Sequence, residues 1–314
     1  MSEIEEHNSS INMNGTVLRV ENLTKHFGKK KVLDNVSIEV MQGQVYGLVG
    51  ENGAGKTTLI QHILGAYVPE KGSVRVFNLN PVLYPKQVLS RIGYLSETRD
   101  MPRWMKVHQL ISYTSAFYPS WDMGYAERLI KEFELPINLR VRSLSRGELA
   151  KLGLLLALAH RPDLLLLDEP SSGLDPVARL DILSTVVRSV AEEGRTVLFS
   201  SHLLDEVERI SDYVCMIHKG KIVFSASLED IRSQFSLVVA KWEKIPQLVE
   251  EERVVQVINL GRETRILFRC SEKDAVEVVK AKGGTVIKVM APELQDIFVG
   301  YVKKTKKEGQ YEEA

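Results

Sequence analysis

The sequence is poor in cysteine, balanced in charge and without a long hydrophobic run. Cysteine occurs only at Cys215 and Cys270, without the spacing of a metal site, which is typical of core residues in a reduced, cytoplasmic protein. The formal net charge is zero, so bulk electrostatics gives no attraction to a nucleic acid. The most apolar stretch, residues 152–159, is too short to cross a bilayer. These features favour a cytoplasmic protein that does not bind nucleic acid.

Length and composition are those of an ordinary globular protein. The chain has 314 residues, of which 44% are hydrophobic and 26% are charged, enough for one large domain with a small one or for two medium ones. Residues 1–15 are polar and lack the apolar core of a secretion signal, so we expect them to form a disordered N-terminus.

A glycine-rich stretch lies between a predicted strand, residues 45–49, and a predicted helix, residues 59–64. It has the form G-x-x-x-x-G-K-[ST], which in this context predicts a phosphate-binding loop of backbone N–H groups at a helix N-terminus. We expect Lys56 to reach the β- and γ-phosphates of a nucleoside triphosphate and the Thr57 hydroxyl to bind Mg²⁺. The residues of the loop are Gly50, Glu51, Asn52, Gly53, Ala54, Gly55, Lys56, Thr57 and Thr58.

Two carboxylates follow the run Leu164–Leu167, which predicts a strand buried on both faces of a parallel sheet. Ligands of such sheets lie beyond the carboxyl ends of the strands, where the phosphate-binding loop is also expected. Asp168 therefore fits a Mg²⁺ site and Glu169 a base for the attacking water, whereas the alternative is a pair of exposed loop acids. His202 follows the predicted strand 196–199 and either contacts a γ-phosphate or simply precedes the next helix.

The remaining pattern predicts an α/β domain over residues 16–235. Short strands at 17–20 and 36–40 predict an antiparallel β layer beside the nucleotide, and 72–77 is a further predicted strand. A helical subdomain is predicted from about residue 99 to residue 160. The order of strands and helices over 236–303 is β-α-β-β-α-β, which predicts a small α+β module of the ferredoxin-like type. Residues 304–314 form a charged tail.

Several aromatic residues and one helix start each allow two interpretations. Phe27 is either an adenine-stacking ring or a core contact. The aromatic residues of the helical subdomain either form its core or include an exposed docking patch; they are Trp104, Phe117, Tyr118 and Trp121. Ser145 is expected to cap a helix that runs to about residue 160, and the start of that helix is an anion site in principle.

In their order, these motifs resemble the ATP-binding subunit of an ABC transporter. Residues 144–148 fall where that family has its signature sequence, and Ser172, Gly173, Leu174 and Asp175 match its dimer-contacting loop. His202 matches its switch histidine, Phe27 its adenine-stacking aromatic, and Glu97 stands at the position of its usual glutamine. The resemblance covers residues 17–235 and implies a P-loop NTPase fold, ATP and Mg²⁺ as ligands, and Glu97 as a further metal ligand. The segment 118–122 is similar to stand-alone bacterial subunits that serve exporters.

The resemblance also implies a mechanism. Two copies, or this chain and a related subunit, would pack head to tail around ATP, with Ser145, Gly147 and Glu148 of one facing the γ-phosphate held by the other. Closing and reopening of this dimer would drive a membrane-spanning permease formed by other chains, with this subunit on the inner face of the membrane. Two departures from the signature are Arg146 in place of glycine and Glu148 in place of glutamine, and Glu148 is unfavourable there unless it points away.

Two other functions compete with transport. A translation or DNA-maintenance ATPase of the same family would have a second cassette or a long coiled coil, and neither pattern is present in this sequence. The other alternative is a nucleotide-dependent regulator that does not hydrolyse ATP.

Overall fold

A computed structural model describes residues 15–174, 179, 187, 193–242, 252–261 and 263–302. The strands are β1 (Thr16–Phe27), β2 (Lys30–Met41), β3 (Val45–Val49), β4 (Lys71–Val76), β5 (Ile92–Leu95), β6 (Leu164–Asp168), β7 (Thr196–Ser201), β8 (Tyr213–His218), β9 (Lys221–Ser227), β10 (Ser236–Lys241), β11 (Val254–Asn259), β12 (Thr264–Phe268) and β13 (Thr285–Met290). The helices are Lys56–Ile63, Pro85–Leu89, Val107–Ser115, Met123–Glu132, Arg146–Leu158, Leu204–Ile210, Leu228–Gln234, Glu272–Ala281 and residues 294–302.

The central sheet has the strand order β5-β6-β7-β3-β8-β9. All neighbours are parallel except β8 and β9, which form a hairpin around Gly220. Every residue of β3, β6 and β7 is buried, as expected for continuous apolar strands in the middle of a parallel sheet. The carboxyl ends of these three strands therefore lie side by side and carry the phosphate-binding loop, the acidic pair and His202.

A second sheet, of order β2-β1-β4, confirms the predicted antiparallel pair of β1 and β2 and adds β4 to it. Its inward side chains, such as Leu18 and Val36, share a hydrophobic core with Leu59 and Ile60 of the helix that follows the phosphate-binding loop. This packing fixes Phe27, at the end of β1, beside the start of that helix.

The helical subdomain lies where it is predicted, between β5 and β6. Asp122 accepts a hydrogen bond from the Tyr125 N–H and so caps the helix Met123–Glu132. Leu110, Leu129 and Leu154, from three different helices, belong to one core with Leu165 of the sheet. The helices are therefore anchored to the strand that ends in the acidic pair.

The C-terminal part contains a third sheet, of order β11-β12-β10-β13, in which all pairs are antiparallel. Its four strands and its helix Glu272–Ala281 follow one another in the predicted order. The other helix of the predicted ferredoxin-like module, residues 245–250, lies outside the described residues, so that module and its boundary at residue 236 stay predictions. Leu294 and Ile297 pack in the same core as Val207, which joins this part to the domain that contains the central sheet.

Three further predictions fall on residues that the structure does not describe. These are the N-terminus except Gly15, the tail 304–314 and Asp175 of the expected dimer-contacting loop. Among the described residues, no helix has both the length and the apolar composition that a membrane crossing requires.

Candidate functional site

The phosphate-binding loop joins β3 to the helix Lys56–Ile63. Gly53 and Gly55 have positive φ values of 79° and 112°, which glycine adopts without steric cost. A Cβ on Gly50 would lie 2.3 Å from the carbonyl oxygen of Ile217, so the loop requires glycine there for a second reason. No side chain caps the first turn of the helix, which leaves its N–H groups available to an anion.

The Lys56 ammonium is buried inside this loop. It donates hydrogen bonds to the carbonyl oxygens of Gly50 at 2.7 Å and Glu51 at 3.3 Å. It also lies 3.0 Å from Oε1 of Glu169, whose side chain is 5% exposed. The loop and the end of β6 are thus joined through one cation.

Asp168 and Glu169 are both buried, so the alternative of exposed loop acids is wrong. Burial raises the pKa of Asp168, while hydrogen bonding to the hydroxyls of Ser200 and Thr57 acts to lower it. Its Oδ1 accepts a hydrogen bond from Ser200 at 2.6 Å, and its buried Oδ2 has no hydrogen bond of standard geometry with the described residues. A buried carboxylate oxygen beside a threonine hydroxyl has the chemistry of a magnesium site.

Glu169 is held from both sides of its carboxylate. Oε2 lies 2.7 Å from Nδ1 of His202, and Oε1 faces Lys56. The backbone of Glu169 has a φ of 47°, and its N–H donates to Ser200 Oγ at 3.0 Å. A left-handed conformation costs free energy for a non-glycine residue, so the surrounding contacts hold this carboxylate in position.

Lys56, Thr57 and Glu169 line one cleft of about 430 Å³, whereas Asp168 and His202 are not among its described lining residues. Phe27 forms one wall and is 46% exposed, which excludes the alternative of a core contact. The Tyr67 ring meets it edge-on at 5.5 Å, and the Lys25 ammonium lies 5.6 Å from its centre. The lining residues are Phe27, Lys30, Val32, Asn52, Gly53, Gly55, Lys56, Thr57, Thr58, Glu97 and Glu169.

The residues of the expected signature sequence lie apart from this cleft. Ser145 caps the helix Arg146–Leu158 by accepting from the Glu148 N–H at 3.2 Å, and the Glu148 carboxylate accepts from the Ser145 N–H at 2.7 Å. This capping box occupies the Glu148 side chain, and the contact to the Ser145 N–H is the main cause that lowers the pKa of Glu148. The described residues that line the cleft do not include Ser145, Gly147 or Glu148.

Comparisons with known proteins identify the family of this chain. The ABC transporter family model matches residues 33–172. An uncharacterized ABC transporter ATP-binding protein of Bacillus subtilis, YhaQ, is 31% identical over 90% of this chain and 97% of its own length. The chain belongs to the family of ABC transporter ATP-binding proteins. It is an ATPase subunit of that family.

Two further similarities support the assignment to ABC transporter ATP-binding proteins. The bacitracin transport ATP-binding protein BcrA of Bacillus licheniformis is 31% identical over 70% of this chain and 72% of its own length. A solved structure of an ATP-binding subunit of an ABC transporter superposes with a TM-score of 0.62 at 28% identity, covering 70% of this chain and 93% of that one. The P-loop ABC ATPase fold predicted from the sequence is confirmed.

In this ABC transporter subunit the aromatic residues of the helical subdomain divide into two groups. Trp104 and Phe117 are 70% and 64% exposed, as a docking patch would be. Tyr118 stacks on the buried His160 with ring centres 4.0 Å apart, and Trp121 packs against the main core. The core alternative therefore applies to Tyr118 and Trp121, and a docking role of Trp104 and Phe117 stays a prediction.

The sequence interpretation misses one residue of the site, Ser200, and one residue outside the cleft, Arg99. Ser200 faces Asp168 across the β6–β7 pair and bonds both members of the acidic pair. Arg99 donates to the carbonyl oxygens of Pro170 and Ser172, at 2.8 Å each. The strand register would have indicated Ser200, but no motif indicates Arg99.

Proposed function

We propose that this ABC transporter ATP-binding protein binds Mg·ATP in the cleft between Phe27 and Glu169 and drives export through a separate membrane-spanning permease. The observation that carries the proposal is the uncapped helix N-terminus, with Lys56 inside its loop, facing a buried acidic pair. A buried anionic pair next to an anion-binding loop is stable when a cation and a phosphate chain lie between them.

Phosphate binding is assigned to the loop Gly50–Thr58. Its N–H groups and the Lys56 ammonium bind the β- and γ-phosphates, and Phe27 stacks on the adenine. The oxygen atoms of Thr57, Asp168 and Glu97 would hold Mg²⁺, which supplies positive charge to the phosphate oxygens when bound. The described residues contain no group of three His, Cys, Asp or Glu side chains able to hold a metal alone, as expected for an ion that keeps water and phosphate ligands.

Hydrolysis is assigned to Glu169 and His202. Glu169 Oε2 accepts the proton of the attacking water, and the exposed edge of His202 contacts the γ-phosphate. Because His202 Nδ1 lies 2.7 Å from Glu169, the histidine also orients the carboxylate. The contact between His202 and Glu169 therefore links the residue assigned to the γ-phosphate with the residue assigned as the base.

A second ATPase subunit completes the site. Ser145, Gly147 and Glu148 begin a helix whose N-terminus carries positive potential, yet they do not line the cleft of their own chain. In a head-to-tail dimer they would face the γ-phosphate of the other subunit. The partner is a second copy of this chain or a related ATPase subunit.

The transport assignment is supported by relatives named for transport, among them the bacitracin transport ATP-binding protein of Bacillus licheniformis. The exposed Trp104 and Phe117 offer an apolar surface to such a permease. We place the subunit in the cytoplasm, peripherally on the inner face of the cell membrane.

Steady-state phosphate release, with Lys56→Ala as the blank, tests the enzymatic part. We expect Mg-dependent turnover that the variant lacks, and binding without turnover would favour a regulator instead. Co-purification from detergent-solubilised membranes tests the transport part, because an integral membrane protein should accompany the chain. Recovery with ribosomes or DNA would contradict it.

A further inference from the structure

The segment after the catalytic glutamate, Pro170–Leu174, is bound by an arginine from another loop. One nitrogen of Arg99, Nη2, donates to the carbonyl oxygens of Pro170 and Ser172, at 2.8 Å each. Both hydrogens of that nitrogen are used, so the two carbonyl groups must converge on it. The side chain therefore determines the shape of the segment and not merely its distance from the core.

The backbone that carries Arg99 belongs to the turn that carries Glu97. The Arg99 N–H donates to the carbonyl oxygen of Ser96 at 3.2 Å and to its hydroxyl at 3.1 Å, which closes the turn around Glu97. Arg99 itself has a φ of 47°. Glu97 lines the nucleotide cleft, whereas Arg99 is not among the described residues that line it. One short turn thus contacts the cleft through Glu97 and the segment 170–174 through Arg99.

Arg146 lies close to the same segment. A Cβ on Gly173 would lie 3.3 Å from Cδ of Arg146 and 3.5 Å from its Nη1, and the φ of Gly173 is 76°. Burial lowers the pKa of Arg99 from its usual value, an effect that Glu97 opposes and Arg146 reinforces. Arginine remains charged in proteins, so the two hydrogen bonds from Arg99 to the carbonyl groups of Pro170 and Ser172 are charge-assisted.

We propose that Arg99 is a positioning residue that holds Pro170–Leu174 in the shape required for contact with a second ATPase subunit, and that links this segment to Glu97 in the nucleotide cleft. The inference rests on the proposed function, since it assumes that Ser172 and Gly173 contact the second subunit. A change at Glu97 on nucleotide binding reaches the segment through a single turn and two hydrogen bonds.

The first experiment measures hydrogen exchange of the full chain without nucleotide, in a peptide that covers residues 168–174. The Ser172 N–H donates to Glu169 and the Leu174 N–H to Ser171, so these amides report the shape of the segment. In Arg99→Ala we expect them to exchange at least about tenfold faster. Arg99→Met keeps most of the side-chain length without a donor and should act alike, Arg99→Lys should restore most of the protection, and the exposed Arg103→Ala is the matched control.

The second experiment measures ATP-dependent dimerisation in a Glu169→Gln background. Arg99→Ala should leave the affinity of the monomer for Mg·ATP within about twofold but raise the ATP concentration for half-dimerisation about tenfold. Protection and dimerisation equal to those of Arg103→Ala would overturn the inference. If the parent protein forms no dimer with ATP, either alone or with the related subunit, the proposed function fails, and the exchange experiment still decides the role of Arg99.

Discussion

The Lys56 ammonium lies 3.0 Å from Oε1 of Glu169, and each of these side chains exposes only 5% of its surface. The residue expected to bind the phosphates of ATP therefore neutralises the residue expected to activate water. Phosphate oxygens and the Glu169 carboxylate compete for the same cation. Nucleotide binding must weaken the Lys56–Glu169 contact, which leaves Glu169 to its contact with His202.

The Lys56–Glu169 pair predicts strong coupling between two substitutions. Lys56→Ala leaves a buried carboxylate without its ammonium partner, so the free energy of unfolding should fall by about 3 kcal/mol. Lys56→Ala with Glu169→Gln removes the uncompensated charge and should recover most of that loss. Urea unfolding of both single variants and the double variant without nucleotide measures the coupling; additive losses would show that the two side chains do not interact in solution.

We predict that replacing Ser200 lowers the turnover rate and leaves ATP binding nearly unchanged. Its hydroxyl donates to Asp168 and accepts from the Glu169 N–H, so Ser200→Ala releases both residues from their positions. We expect kcat to fall about tenfold, as for the loss of one charge-assisted hydrogen bond, with KM for ATP nearly unchanged. Ser90→Ala, at an exposed serine, is the control. An unchanged kcat would remove Ser200 from the site.

We predict that removing the Phe27 ring weakens nucleotide binding. Base stacking contributes about 0.5–1.5 kcal/mol, so Phe27→Ala should weaken Mg·ATP binding roughly threefold to tenfold, and Phe27→Tyr should retain it. Calorimetric titration gives the affinities. Phe117→Ala removes an exposed ring of the helical subdomain and should bind ATP as the parent does. Equal affinities for Phe27→Ala and Phe117→Ala would place the adenine elsewhere.

We predict that the buried His160 makes the free energy of unfolding depend on pH. Burial lowers the pKa of His160, which hydrogen-bonds through Nε2 to the carbonyl oxygen of Ile92. As the pH falls, this histidine takes up its proton first in the unfolded chain, at about pH 6.5, because its pKa is higher there than in the folded chain. The contribution of His160 to the free energy of unfolding is therefore complete above that pH and declines as the pH falls below it. His160→Gln should make the loss of stability between pH 7.5 and 5.5 shallower, by up to about 1.4 kcal/mol per pH unit. The exposed His108→Gln should keep the parent slope, and identical slopes for all three proteins would contradict the assignment.

The parts of the site that sequence predicts are those with short-range physical requirements. The loop Gly50–Thr58 is recognisable because close backbone approach and left-handed φ values impose glycine at fixed spacing. Asp168 is recognisable because only a strand buried on both faces accepts the run before it. The capping box of Ser145 and Glu148 was also accessible, since S-x-x-E is its local pattern. It explains how the unusual Glu148 carboxylate is accommodated at the helix start.

The parts that sequence does not predict depend on contacts between distant segments. Ser200 acquires its role only when β7 pairs with β6 in one particular register. Arg99 acquires its role through carbonyl groups about seventy residues away, and carbonyl groups leave no mark in a sequence. The joining of the C-terminal sheet to the main core through Leu294 is likewise a tertiary effect.

The central claim is that ATP, bound in the cleft that Lys56 and Glu169 line, joins two copies of this fold, or this chain and a related subunit. Its most direct test is the size of Glu169→Gln in solution with and without Mg·ATP, because removing the base should slow hydrolysis by at least about a hundredfold and let the bound state persist. We predict a monomer without nucleotide, a dimer with Mg·ATP, and no dimer when Lys56→Ala is added. A monomer under all three conditions, with or without the related subunit, would contradict the account.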